Sequence, residues 1–253
     1  MTHDSKETKR VRAILFDLHH TITKTRMSPL DVHREAAQVA GFDMSQFSDD
    51  RLHETQNVMV EFLNKFQVEN EVGIHWGERA EDWFEANRVF VEALGFENVL
   101  DEQLIEMERH WKETLTTKWE SLVEDAKQTL EELKNRGYIL GICTRRFDNP
   151  EQILKDWGIH HLFSTIHYTA TLGYAKPSPY TLLKAADEIG INPRLCAYVG
   201  NLVDADIAAS LSAEMLPVLT VWSDPEEKKL APKGTVIINN IIELLDLFKS
   251  PSN

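Results

Sequence analysis

The sequence predicts an α/β fold: a doubly wound parallel sheet with an inserted all-helical domain. Two observations carry the sheet and a third carries the insertion. Short apolar runs at Ala13–Phe16, Tyr138–Cys143 and Leu195–Val199 are bounded by polar residues, as strands buried on both faces are. From about residue 119 onward, strand-like and helix-like stretches alternate, the pattern of a parallel sheet covered on both sides. Residues 24–118 show only helical patterns, so this block reads as an insertion after the first strand. The expected domains are therefore residues 1–23 with 119–253, forming the sheet, and residues 24–118, forming a helical cap.

Each element follows from local chemistry. Residues 1–10 are charged and expected to fray. The run beginning at Val11 has no polar residue between Ala13 and Asp17, which marks a central strand. Ser28-Pro29 supplies an N-cap and first turn for a helix over Asp31–Ala40, stopped at Gly41. Asp50–Phe66 reads as a second helix. Glu78–Leu94 is a third, with Ala80, Trp83, Phe84, Val91 and Leu94 near helical spacing and Gly95 as its stop. Asp101 is expected to cap a fourth, through about Lys112. Past Trp119, helices are expected over Val123–Arg136, Pro150–Trp157, Ser178–Ile189, Asp204–Met215 and Ile241–Phe248. Strands are expected up to Thr144, over Thr165–Tyr168, up to Asn201, over Pro217–Trp222 and at Val236–Ile238.

Composition narrows the function. The chain has 253 residues, 42% apolar and 27% charged, enough for a substantial core. A net charge of −14 argues against nucleic acid or an anionic membrane as partner, although a small phosphorylated substrate remains compatible. Cys143 and Cys196 both fall in expected strands, where thiols pack as small apolar groups in a reducing compartment. No apolar run reaches membrane-spanning length and the opening MTHDSKETKR has no apolar stretch, so a cytoplasmic protein is expected. Oligomeric state stays open.

Four chemical groups stand at the ends of these elements. Asp17 follows the first strand and Thr144 follows the second apolar run. Lys176 precedes a Pro-Ser-Pro turn, and Gly200-Asn201 ends the third run with Asp204 and Asp206 just beyond. Taken singly, Asp17 and Thr144 suit helix or turn caps and Lys176 suits a solvated surface. As an ordered set they resemble the haloacid dehalogenase-like hydrolase superfamily, over about residues 11–23 and 119–222.

That resemblance implies a Rossmann-like core and a covalent aspartyl-enzyme intermediate formed by Asp17. It implies that Thr144 and Lys176 cradle the substrate's anionic group, with Lys176 also offsetting charge on the nucleophile. Arg145, directly after Thr144, is a candidate anion contact, with Arg146 weaker. Magnesium is implied on Asp17, the backbone carbonyl of His19, Asn201 and Asp206, with Asp204 as an alternative.

Two positions depart from the pattern. Asn201 stands where metal-dependent members carry aspartate, and N-x-x-D with Asp204 is similar to the stretch in metal-independent 2-haloacid dehalogenases. His19 stands where the phosphatases carry an acid aspartate; an imidazole can serve as acid and then base. His20 reads as a loop residue. The histidines and tryptophans of the helical block show no metal-ligand spacing.

Three functions remain in play. A magnesium-dependent phosphatase of small metabolites leads, followed by a metal-independent 2-haloacid dehalogenase. The third is a binding protein on a non-catalytic scaffold.

Overall fold

The computed structural model describes residues 10–114 and 119–251; residues 1–9, where fraying is expected, lie outside the described residues. The chain divides into two compact units, Met1–Lys24 with Leu122–Asn253, and Thr25–Ser121. In chain order the described strands are β1 Ala13–Phe16, β2 Thr23–Thr25, β3 Glu120–Leu122, β4 Ile139–Thr144, β5 Phe163–Tyr168, β6 Cys196–Gly200, β7 Leu216–Thr220 and β8 Val236–Ile238.

Six of them form one sheet in the order β5-β4-β1-β6-β7-β8, and every pairing is parallel. The expected doubly wound parallel sheet is therefore present. β1 lies between β4 and β6, and alternation along it feeds two cores. Ile14 and Phe16 pack with Leu130, Leu133 and Phe248 on one face. Ala13 and Leu15 pack with Leu182, Ala185 and Met215 on the other. Ile14, Leu15 and Phe16 are wholly buried, and each contributes about 1.5–3 kcal/mol of transfer free energy. Gly141 sits beside Leu15 in register. A Cβ there would lie 2.6 Å from Thr165 Cγ2 and 2.7 Å from Leu15 Cδ2, so the close lateral packing requires glycine. Strand order runs outward from β1 both ways, which puts its C-terminal end at a topological switch point, where such sheets hold ligands.

Some elements differ from expectation for identifiable reasons. β2 and β3 pair as a separate two-stranded sheet. Each is three residues long, TKT and ESL, too short and polar to show alternation. The segment expected as one helix over Glu78–Leu94 is a 3₁₀ turn, Ala80–Trp83, followed by an α-helix, Phe84–Ala93. Here the Asp82 carboxylate accepts from the Gly77 amide at 3.1 Å, and Trp83 Nε1 donates to the Gly77 carbonyl at 2.7 Å. These bonds hold the preceding loop against the first turn. The segment after Asn201 opens as a π turn, Val203–Ile207, before the α-helix Ala208–Ser212.

The second unit is helical, with Pro29–Val39, Asp49–Glu69, Phe84–Ala93 and Asp101–Thr114 as its longer helices. Ser28 caps the first through a capping box with Asp31, with Pro29 in the first turn. Leu52, Met59, Leu63, Phe90, Val91, Leu104 and Met107 form its core. Among the described residues, no helix is long and apolar enough to cross a membrane.

Candidate active site

The site grows from strand ends. Asp17 directly follows β1, its amide held by the Val199 carbonyl of β6 at 2.8 Å. The carboxylate is almost wholly buried, as are Lys176 and Asp206. Lys176 Nζ lies 2.6 Å from Asp17 Oδ1, 2.5 Å from Asp206 Oδ1 and 2.8 Å from the Tyr198 hydroxyl. An ammonium has three N–H donors, so all three are engaged. Burial alone would lower the Lys176 pKa; Asp17 and Asp206 outweigh it and hold the pKa above the ordinary lysine value. The lysine is therefore a fixed cation between two carboxylates.

Both oxygens of Asp206 accept hydrogen bonds. Its Oδ2 accepts from the amides of Asn201 at 2.9 Å and Leu202 at 3.0 Å, while Oδ1 accepts from Lys176. Burial pushes its pKa up, with Lys176 pulling the other way. The three donors aimed at it suit the ionised form. Gly200 makes this approach feasible, because a Cβ there would fall 2.4 Å from Asp206 Cβ. The π turn delivers the side chain: Ile207 N reaches back to the Leu202 carbonyl at 3.1 Å, five residues earlier.

Thr21, which the sequence did not single out, joins the nucleophile to Asn201. Its hydroxyl is 3.3 Å from Asp17 Oδ2 and 3.3 Å from Asn201 Oδ1, and it carries one proton for the two acceptors. The signal was a hydroxyl residue four positions past Asp17. Tyr198 was also overlooked, being one of several apolar strand residues. A buried tyrosine, however, needs a hydroxyl partner, and here it donates to the Cys143 carbonyl at 2.7 Å. Burial, then the nearby Asp206 and Asp17 charges, raise its pKa well above the ordinary phenol value, which keeps that proton in place.

The remaining candidates are distributed around this cluster. Thr144 is buried at the end of β4, and its hydroxyl has no hydrogen-bond partner among the described residues. Arg145 is exposed, whereas Arg146 is buried, with Nε 3.2 Å and Nη2 3.0 Å from the Asp148 carboxylate. His19 is half-buried, its ring centroid 4.2 Å from that of His20. His20 has φ 58°, a left-handed conformation for which glycine is the usual residue. Asp204 is exposed.

A divalent cation can be tested against these donors. Asp17 Oδ2 and Asn201 Oδ1 face one common point, occupied by the Thr21 hydroxyl. The residues fit a hard cation held through one carboxylate and one amide oxygen. Asp206, the other expected ligand, has Oδ2 on two backbone amides and Oδ1 on Lys176. Among the described residues no group of three or more His, Cys, Asp or Glu side chains gathers as a metal site.

A family model for haloacid dehalogenase-like hydrolases matches residues 11–213. The chain belongs to this family. As a haloacid dehalogenase-like hydrolase, it resembles two curated phosphatases in sequence. It is 32% identical to glyceraldehyde 3-phosphate phosphatase of Methanopyrus kandleri over 37% of this chain and 41% of that protein. It is 36% identical to phosphoglycolate phosphatase of Haemophilus influenzae over 35% of this chain and 40% of that protein. The chain thus spans about two fifths of the length of these relatives. The crystal structure of 2-haloacid dehalogenase from Pseudomonas syringae aligns with TM-score 0.64 and 18% identity, over 94% of this chain and 98% of that one. At that identity the likeness concerns the fold alone, so the fold does not select between phosphorus and carbon as the point of attack.

Proposed function

We propose that this hydrolase is a phosphatase of small phosphorylated metabolites, in which Asp17 attacks phosphorus and forms an aspartyl-phosphate. The carrying observation is the buried Asp17–Lys176–Asp206 cluster at the switch point, beside a strand end where the Thr144 hydroxyl is buried and unpartnered. The sequence relatives named as phosphatases support phosphate over halide chemistry.

In this reading Lys176 holds the Asp17 carboxylate through Oδ1 and neutralises part of the local charge while that carboxylate attacks. Thr144 donates to a phosphoryl oxygen, and Arg145 supplies positive charge at the exposed rim. Asp206 holds Lys176 and the Asn201–Leu202 backbone in place, a positioning role. Magnesium would be held by Asp17, Asn201 and the His19 carbonyl, and when bound it would offset charge on the transferring group. His19 protonates the leaving oxygen and then activates water.

A second reading rests on Asn201, which leaves the cation position with a single carboxylate, as a metal-independent dehalogenase would tolerate. A parallel panel of phosphate esters and 2-haloacids, with and without magnesium, separates the two. Magnesium-stimulated phosphate release is the expected result. Halide release without metal would replace the phosphatase reading, and tight binding without turnover would replace both.

A further inference from the structure

We infer that Tyr198 is a positioning residue for this reaction, acting through Lys176 and the end of β4. The inference rests on the reading of Asp17 as nucleophile. Tyr198 lies on β6, wholly buried, and its hydroxyl has three polar neighbours: Lys176 Nζ, the Cys143 carbonyl and, farther off at 3.4 Å, Asp206 Oδ1. It accepts from Lys176 Nζ at 2.8 Å and donates to the Cys143 carbonyl at 2.7 Å. Its single proton goes to the nearer Cys143 carbonyl at 2.7 Å rather than to Asp206 Oδ1 at 3.4 Å, and toward Lys176, which has donors only, the hydroxyl accepts. Cys143 immediately precedes Thr144 on β4. One phenol therefore ties together the lysine that orients the nucleophile and the strand end that carries the proposed anion contact.

The geometry of Lys176 makes this third acceptor consequential. Two carboxylate oxygens alone leave one N–H unfilled in a buried place. Tyr198 fills that donor. The lysine is then held on Asp17 Oδ1, so its charge acts on the nucleophile. Tyr198 also carries no charge of its own, so it completes the coordination without adding a third anion to the pair Asp17 and Asp206.

The test is a double-mutant cycle on the full chain with Tyr198→Phe and Lys176→Met, read in both turnover and unfolding by urea. Tyr198→Phe should lower kcat by about 10- to 100-fold, the size of a hydrogen bond to a charged group, with KM changed much less. In the Lys176→Met background the same substitution should lower kcat little further, because the group it acts through is gone. A coupling of at least about fivefold in the unfolding equilibrium constant is expected between the two positions. Additive losses in kcat, or a fall in Tyr198→Phe confined to KM, would overturn the proposal. The unfolding cycle needs no substrate, so absent coupling overturns it even where phosphate turnover fails and the functional reading falls separately. Lys176→Gln, which removes the ammonium and keeps a polar side chain near the two carboxylates, replaces Lys176→Met in the cycle if the latter does not fold.

Discussion

Replacing Asp206 by asparagine probes the architecture of the site without touching Asp17. Three donors converge on this carboxylate: Lys176 on Oδ1, and the amides of Asn201 and Leu202 on Oδ2. An asparagine offers one oxygen and one NH2. In one orientation the NH2 meets the ammonium; in the other it meets two backbone N–H groups. Either way, donors face donors in a buried place. Breaking a buried ion pair by altering one partner costs about 3–5 kcal/mol. Because Lys176 keeps Asp17 and Tyr198, the lower end applies, and Asp206→Asn should lose about 3 kcal/mol of the roughly 5–15 kcal/mol that folded domains possess. Urea denaturation followed by circular dichroism at neutral pH measures this. A loss below about 1 kcal/mol would refute the reasoning, because it would mean the three bonds to Asp206 are replaceable by water or by side-chain rearrangement.

Other predictions follow from individual contacts. Gly200→Ala places a methyl 2.4 Å from Asp206 Cβ, so it should destabilise by about 1–3 kcal/mol, and thermal unfolding with activity assays should show both falling together. In the helical unit, burial holds the His33 pKa down to about 4, against an ordinary 6.5. Its neutral form is favoured fully above pH 6.5; as pH falls toward 4, the unfolded chain takes up a proton that the folded chain does not. About 3 kcal/mol should be lost across that window. Urea titrations at several pH values should show His33→Phe flattening the slope there. His19→Ala should slow alkyl phosphates by about 10²–10⁴-fold and aryl phosphates far less; equal losses on both classes would remove proton transfer from the assignment of His19.

Much of the fold was legible because a central parallel strand leaves a plain trace: AILF between polar neighbours has no solvent-facing side. The placement of Asp17, Asn201 and Asp206 near strand ends followed from the same pattern, since parallel strands carry their C-terminal ends to one edge. What the pattern left out depends on side-chain reach rather than periodicity. Asp206 serves three donors only because a π turn and a side-chain-free Gly200 let it fold back. Helical spacing alone predicts neither. Thr21 and Tyr198 were hidden for opposite reasons: one is a small hydroxyl in a loop, the other an aromatic in an apolar run. Arg145 is exposed and Arg146 buried, the latter paired with the Asp148 carboxylate two residues on, a contrast that two adjacent arginines do not announce.

The assignment of Asp17 as nucleophile is tested most directly by trapping the intermediate. Protein quenched in acid during turnover of a phosphate ester and reduced with borohydride should carry homoserine at position 17, because an acyl phosphate reduces where a free carboxylate does not. Peptide mass mapping should find that change in the wild type and not in Asp17→Asn, which should also show no turnover. Sustained phosphate release from protein that remains aspartate at position 17 throughout, or a reduced residue elsewhere, would contradict nucleophilic catalysis by Asp17.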